Sequence, residues 1–488
     1  MTDDFNFFTI LNIPYDASII IDKVEVIDDT KYVFIHREPT PTFCDICNSR
    51  MHSKGIYTRK INHPILQDST RIVLVVQQRK WNCTNCNSYK NEEFSFIQKF
   101  SHSSTLTIFM VLDAMKDLNR STASVARQYN LSDTQVHNMF TAYVDLPRLP
   151  LPEYLSIDEV YLDINENDNY AFVLMDFITG EIVDIVHNRK QNTIETYLLS
   201  IPIEERKNVK AIISDAYRTY MEFVTEFFPN AISVLDSFHV SRKLISSLNY
   251  YVNQVMKKYK ERDKVRLEEK NLKDNKENES IRDSIEVVLL RNYRWVLLQN
   301  KNDINYTENR HWHKLLKMYL DTHQIEQMFF SLDENFKYFR DMKEKYIYFN
   351  HTEYSSKEEV ENSLDELIKE FKASRHFIFR DFAKFLYMYR IQIVRSFTTV
   401  QVSRKTVDET EKYYARLSNG PMESFNRKPK DYKRNSRGSS NFDYTLNRIL
   451  WATRKNPSIR AIPKPYEQVH SYRVKTKKRK KTYNKKNK

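Results

Sequence analysis

The chain has 488 residues, 41% of them apolar, and a formal net charge of +13, values that exclude a disordered polymer and predict several globular domains. No apolar run approaches the roughly 18–20 residues needed to span a bilayer, and the four glycines form no glycine-rich phosphate loop, so neither a membrane partner nor a nucleotide cofactor is expected. The last sixteen residues, Arg473–Lys488, hold ten Lys or Arg and no acid, which leaves +3 for the other 472.

Such a concentrated charge suits a polyanion partner, with a solubilising tail as the plain alternative. The opening segment, Met1 to Pro14, carries Asp3 and Asp4 and lacks the basic start of a secretory signal, so a cytoplasmic chain is expected. The bias toward Lys, Asn, Ile and Tyr fits AT-rich codons, hence a low-GC bacterium.

In chain order, residues 1–98 are predicted as an N-terminal region with a strand at Tyr32–His36 and a zinc ribbon. All four cysteines lie in two knuckles, Cys44-Asp-Ile-Cys47 and Cys83-Thr-Asn-Cys86. Two Cys-x-x-Cys pairs bring four thiolates to one tetrahedral centre, the ligand set of structural zinc. Between the pairs, Arg71 to Gln77 reads as a strand, and the 35 intervening residues predict an enlarged hairpin. Disulfides or a redox pair are the alternatives; a cytoplasmic chain disfavours the first. His52 and His63 lie in the same segment as possible replacement ligands.

Residues 99–146 predict a helix-turn-helix. Thr105 to Leu118 repeats apolar residues at helical spacing. Ser121 to Tyr129 forms a short helix with small Ala126, and Asn130-Leu131-Ser132 turns into a second, Asp133 to Tyr143. Ser132 with Gln135 makes a capping box at its start. The second helix of such a pair enters the major groove, which makes Gln135, His137 and Asn138 the candidate base contacts. An ordinary helical hairpin is the plain alternative.

Pro147-Arg-Leu-Pro150-Leu-Pro152 reads as a linker. Beyond it, 153–239 carries strands at Tyr154–Leu162, Tyr170–Phe177 and Glu181–His187, a helix at Thr193–Leu199, a strand at Val209–Ser214, a helix near Tyr220–Phe228 and a strand at Ala231–Leu235. That order predicts the first part of a ribonuclease-H-like core. Residues 240–417 are predicted as an α-helical insertion; within them, Lys257 to Asp283 has eighteen charged residues in twenty-seven, a solvated helix or a disordered excursion. Residues 418–465 are expected to complete the core, with 466–488 as a basic tail.

Three acids stand out. Asp158 lies on the first strand and Asp215 closes the fourth, so the fold brings them together across 57 residues. An Asp ending an apolar strand is costly to bury unpaired and well suited to a cation. Glu423 falls in the first turn of a helix that starts at Pro421, where the helix dipole alone already favours an acid. Asn426, Lys430, Arg434 and Arg437 follow at close to helical spacing, with Lys433 beside them, as a basic stripe for phosphate contacts. Shared carboxylates of this kind hold two divalent ions about 3.5–4 Å apart, which activate an attacking oxygen and stabilise a leaving one. Glu159 points to the opposite strand face and reads as structural.

The phrase Asn419-Gly-x-x-Glu423-x-x-Asn426…Lys430…Lys433-Arg434…Gly438…Phe442…Arg448, together with Asp158, Asp215 and Asp236-x-Phe238-His239, resembles the bacterial insertion-sequence transposases called ISL-three, a DDE type with a long helical insertion. The N-terminal ribbon and helix-turn-helix match as well. The resemblance implies a multidomain α+β protein with a ribonuclease-H-like α/β core interrupted by an all-α insertion. It implies two magnesium (or manganese) ions on Asp158, Asp215 and Glu423, with Asp236, His239 and Asn426 positioning them. It also implies double-stranded DNA partners, the element's terminal inverted repeats and a target. Strand cleavage by water would be followed by attack of the freed 3′ hydroxyl on the target, by a dimer or higher oligomer at the nucleoid. Phe425-Asn426 and Pro429-Lys430 depart from the family's usual Asn-Asn and Ile-Lys pairs, and Pro429 is expected to kink the helix. A non-catalytic zinc and helix-turn-helix regulator, or another ribonuclease-H-like nuclease, are the rival readings.

Overall fold

The computed structural model describes residues 3–64, 70–99, 101–162, 169–274, 283–405, 410–436 and 441–470. Two compact units share the chain: Met1–Arg148, Val160–Tyr170 and Asn426–Lys488 form one, and Leu149–Glu159 with Ala171–Phe425 form the other. Among the described residues no helix is long and apolar enough to cross a membrane.

The first unit opens with α1 (Asp3–Ile10), β1 (Ile19–Ile27), β2 (Thr30–Arg37), β3 (His52–His63), β4 (Arg71–Asn82) and β5 (Tyr89–Asn91). Their sheet runs β1-β2-β4-β3, with β5 on β4. Only the β2–β4 pairing is parallel; the others are antiparallel. Side chains two apart on one face, Val33 and Ile35 with Leu74 and Val76, pack with Phe8, Ile61, Phe94 and Phe96; alternation puts them all inward. Helices α2 (Thr105–Ala114), α3 (Thr122–Gln128) and α4 (Asp133–Tyr143) follow. Each starts where a serine hydroxyl (Ser104, Ser121 or Ser132) accepts a backbone N–H three residues on, and Ser132 with Gln135 closes the full reciprocal cap. Val125, Ala126, Val136 and Phe140 bury the inner faces.

In the second unit, β6 (Tyr154–Tyr161), β7 (Tyr170–Asp176), β8 (Ile182–Val186), α5 (Gln191–Ser200), α6 (Ile203–Lys207), β9 (Ala211–Ser214), α7 (Arg218–Phe227) and β10 (Ile232–Leu235) build one sheet. Its order is β10-β9-β6-β7-β8. β9 pairs parallel with both β6 and β10, and β7 pairs antiparallel with β8. Ile212 turns to one face, against Leu155, Ile157, Phe172 and the α5 and α7 residues Leu198 and Phe223. Ala211 and Ile213 turn to the other, against Val234, Val402 and Leu417. Helix α8 (Ser237–Asp274) then runs unbroken through much of the charged segment.

Next come α9 (Ile285–Asn292), α10 (Trp295–Leu298), the hairpin β11 (His311–His313) and β12 (Met318–Leu320), α11 (Thr322–Phe330), α12 (Asn335–His351), α13 (Lys357–Lys372), α14 (Phe377–Met388) and α15 (Arg390–Arg395). They share one apolar core with α8, in which Leu248, Phe339, Leu364 and Phe379 are fully buried.

The expected all-α insertion over 240–417 needs correction. Besides the small hairpin β11–β12, the stretch ends in a seven-rung antiparallel hairpin, β13 (Thr399–Lys405) and β14 (Thr410–Arg416). Val402 of that hairpin packs on the sheet with Ile213 and Val234, so it belongs to the core and not to the helical block.

Helix α16 (Gly420–Asn435) follows and continues through Pro429. Its N-terminal turn belongs to the second unit, whereas the chain from Asn426 on groups with the first, so the expected completion of the core by 418–465 also needs correction. Helix α17 (Phe442–Thr453) packs on the N-terminal helices instead. Trp451 Nε1 donates to Leu112 O at 2.8 Å, the Leu146 amide donates to Asn447 Oδ1 at 2.8 Å, and His137 stacks on Tyr444 with ring centroids 4.4 Å apart. A short helix, α18 (Tyr466–His470), ends the described chain.

Candidate active site

The strand register determines which acids meet. Ser156 of β6 pairs with Ile213 of β9, and Ser214 of β9 pairs with Leu235 of β10. Carried on by one or two residues, that register sets Asp158, Asp215 and Asp236 side by side across three neighbouring strands. The Asp236 amide donates to Ser214 O at 2.9 Å, which fixes that end of the row.

Burial makes the row electrically expensive. Desolvation pushes the Asp158 carboxyl up to about 6, against the help of the Glu159 amide, and Asp215 adds repulsion. Desolvation likewise raises Asp215, with His239 opposing and Glu159 and Asp236 reinforcing the shift. Asp236 is fully buried and raised by desolvation, although amide donors from Asn419, Phe238 and His239 pull the other way. Asp215 Oδ1 and Asp236 Oδ2 are buried oxygens without a hydrogen-bond partner. Crowded, desolvated carboxylates with spare lone pairs are the donor set of a hard divalent cation.

Glu423 sits in the first turn of α16. Its carboxyl is raised mainly by desolvation and next by Asp236, while His239 and Arg242 lower it. Ligand atoms of Asp236, His239 and Glu423 all lie within 4.8 Å of one another. Among the described residues, Asp158 and Asp215 join no three-ligand group at that spacing, yet Asp158 is within electrostatic reach of both Asp215 and Glu423. The sequence reads Asp158, Asp215 and Glu423 as ligands with Asp236 and His239 as positioning residues, and in the structure Asp236 and His239 are the close neighbours of the glutamate.

Asn419, to which the sequence assigns no separate role, locks the constellation. Fully buried, it donates from Nδ2 to Ile157 O at 3.1 Å, and its amide donates to Asp236 Oδ1 at 2.9 Å. One residue thus ties the start of α16 to β6 and to the end of β10. Glu159 accepts from the Tyr220 hydroxyl at 2.5 Å and from Arg189 at 2.5 Å, partners consistent with the structural role read for it.

The cysteines form a second candidate metal centre in the first unit. Cys44 Sγ lies 3.5 Å from Cys86 Sγ and Cys47 Sγ 3.4 Å from Cys83 Sγ, all four are free thiols, and all four sulfurs fall within one 4.8 Å group. Four thiolates about 2.3 Å from a tetrahedral ion would stand about 3.8 Å apart. The two knuckles repeat as Cys-x-x-Cys-Asn-Ser, and Asn48 and Asn87 both take φ of 55°. Each first cysteine amide, Cys44 or Cys83, donates at 2.9 Å to the closing serine carbonyl, Ser49 or Ser88. Asn tolerates that left-handed backbone, so each knuckle turns its sulfurs inward alike. His63 is spent elsewhere: its ring bonds Leu11 O and Ser104 Oγ at 2.8 and 2.9 Å. His52 is exposed at the start of β3.

The expected DNA contacts separate. Gln135 Oε1 accepts the Ser132 amide at 2.8 Å as part of the cap, and His137 stacks on Tyr444. Asn138 is half-buried on α4, and Asn426 is buried. Lys430 and Arg434 are exposed on α16, with Arg434 paired to Asp431 at 3.2 Å; Lys433 is half-buried. Arg437 and the tail Arg473–Lys488 lie outside the described residues.

A row of acids on a mixed sheet, with a glutamate brought in by a helix far along the chain, makes a candidate centre for a divalent cation. The family described as transposase, of the DDE ISL3 type, matches residues 155–449. The chain belongs to that family. It is also similar to the transposase for insertion sequence element IS1001 of Bordetella parapertussis, 24% identical over 295 residues. That match covers 58% of this chain and 66% of the relative, slightly less than two thirds of its length.

Proposed function

We propose that this protein binds the ends of an insertion sequence and cuts and joins DNA there at the acidic centre on β6, β9, β10 and α16. The observation that carries the reading is the row Asp158, Asp215, Asp236, with Glu423 set beside Asp236 and His239 by the α16 N-terminus. The strand order β10-β9-β6-β7-β8 supports a ribonuclease-H-like core. The capped pair α3 and α4 supports a helix-turn-helix, and the four clustered thiols support a structural zinc.

Asp158, Asp215 and Glu423 would hold divalent cations, magnesium or manganese, with the spare oxygen of Asp236 as a further donor. When bound, such ions polarise the scissile phosphate and favour the deprotonated form of the attacking hydroxyl. Imidazole is a softer ligand than magnesium favours, so His239 is assigned to positioning Asp236 and Glu423. Asn419 keeps the glutamate in register with the strands. In the first reaction a water oxygen attacks the phosphorus at the element end and the 3′ oxygen leaves. In the second that 3′ hydroxyl attacks a target phosphorus and displaces another 3′ oxygen. Both displacements need the same acidic centre and no nucleotide.

Replacing Asp158, Asp215 or Glu423 singly with Ala is expected to abolish magnesium-dependent cleavage of duplexes carrying the element ends, while binding to the same duplexes stays near that of the parent protein. A variant that cleaves at the parent rate would remove that residue from the centre.

A further inference from the structure

Arg448, on α17, is 1% exposed and forms no ion pair among the described residues. Its Nη2 donates to Asp117 O and Arg120 O, each at 3.1 Å, and its guanidinium lies 5.8 Å from the Phe140 ring and 5.6 Å from the Tyr432 ring. Nη1 is buried and has no hydrogen-bond partner. Carbonyls, ring faces and the Asp117 carboxylate offset part of the cost of burying this cation, and desolvation still pulls its proton affinity down.

The same side chain lines a cavity of about 850 Å³ in the first unit, bounded by the start of α3, by α4 and by the end of α16. Arg120, Arg127 and Arg434 also line it, and Asp133 is the one acid among its described lining residues. Arg127 is exposed, and Ser121, Thr122 and Ser436 add hydroxyl groups to the lining. Four guanidiniums lining one cavity suit a tetrahedral oxyanion that accepts several charge-assisted hydrogen bonds.

We propose that this cavity seats one phosphate of the DNA backbone, with Arg448 as its buried anchor and Arg127 at its mouth. It rests on the reading that the chain binds DNA. A phosphate held here would fix how α3 and α4 lie along the duplex while carrying no sequence information itself. It also gives His137 a different task from base contact: its ring, stacked on Tyr444, forms part of the wall.

The test uses the full chain and end duplexes in which one phosphate at a time is replaced by a neutral methylphosphonate. One position, or two adjacent ones, is expected to weaken binding by the parent protein about tenfold, as for loss of a hydrogen-bonded charge. Arg448→Gln and Arg127→Gln should bind the unmodified duplex correspondingly more weakly, show no further loss at that position, and lower the slope of log affinity against log salt by about 0.9. If Arg448→Gln shows no cooperative melting, the exposed Arg127→Gln decides alone. Unchanged salt slopes, or a full methylphosphonate penalty retained in the variants, would overturn the site. So would a melting shift with inorganic phosphate that depends on Arg448 but matches no methylphosphonate position, since the site would then take a free anion. Failure of the parent protein to bind any duplex would instead overturn the DNA reading itself.

Discussion

At the scale of residues, Asp158 and Asp215 are legible because each stands at an apolar strand where a charge has no packing role. Asp236 closes a strand in the same way, but its place in the row depends on β10 lying next to β9, which is a fact of sheet order. Asn419 is harder still: a buried amide that bridges two elements has no spacing signature, and its partners are 262 and 183 residues away. The cost of the row has a measurable sign. Asp158 rises from 3.8 to about 6 on burial, so its protonated form is the one the folded, metal-free chain prefers. Below pH 3.8 the group is neutral in both states; between 3.8 and about 6 the unfolded chain ionises first, and stability falls as pH rises. Melting in chelator should therefore show the parent losing stability across that window relative to Asp158→Asn, with magnesium closing the gap at neutral pH. Parallel curves for the two proteins would mean that Asp158 is ordinarily solvated.

Secondary-structure elements with their own chemistry were the most readable. The capping box at Ser132 and Gln135 is present, and α4 spans Asp133–Tyr143 as the apolar spacing predicts. The β13–β14 hairpin was missed although Thr399-Val-Gln-Val alternates with period two, because it follows more than a hundred residues of helical pattern and a short strand pair carries little weight against that background. The division of the chain was misread for a different reason. The apolar face of α17 reads the same whether it packs on a sheet or on helices, and only tertiary contacts such as Trp451 to Leu112 decide. The zinc knuckles are local, so their sequence suffices. Purified protein is expected to hold one zinc, and Cys44→Ser or Cys86→Ser should lose it and unfold residues 40–98 locally. The apparent binding energy of such centres, about 10–16 kcal/mol, far exceeds what the small apolar cluster of Met51 and Trp81 could replace. Freshly prepared protein without zinc by metal analysis would end that assignment.

For the whole molecule, charge distribution separates two kinds of DNA contact. Ten of the cations that make up the +13 excess fall in Arg473–Lys488, while the α3–α4 pair and α16 present single cations such as Arg127, Lys430 and Arg434 from folded elements. Cations on folded elements hold a phosphate at a set place, so the loss of each should lower the salt slope by about 0.9, one contact at a time. A run of ten cations without acids meets any phosphate equally, so its removal should weaken binding to both DNAs by a similar factor. If four of the ten pair with duplex phosphates, the slope of log affinity against log salt flattens by about 3–4 units on truncation, at roughly 0.9 per contact. Binding curves at several salt concentrations, for the full chain and a chain ending at residue 472, on end and random duplexes, measure both effects. An unchanged slope would make the tail a solubilising segment. A loss confined to the end duplex would place it in the specific complex and shift the discriminating contacts away from the helices.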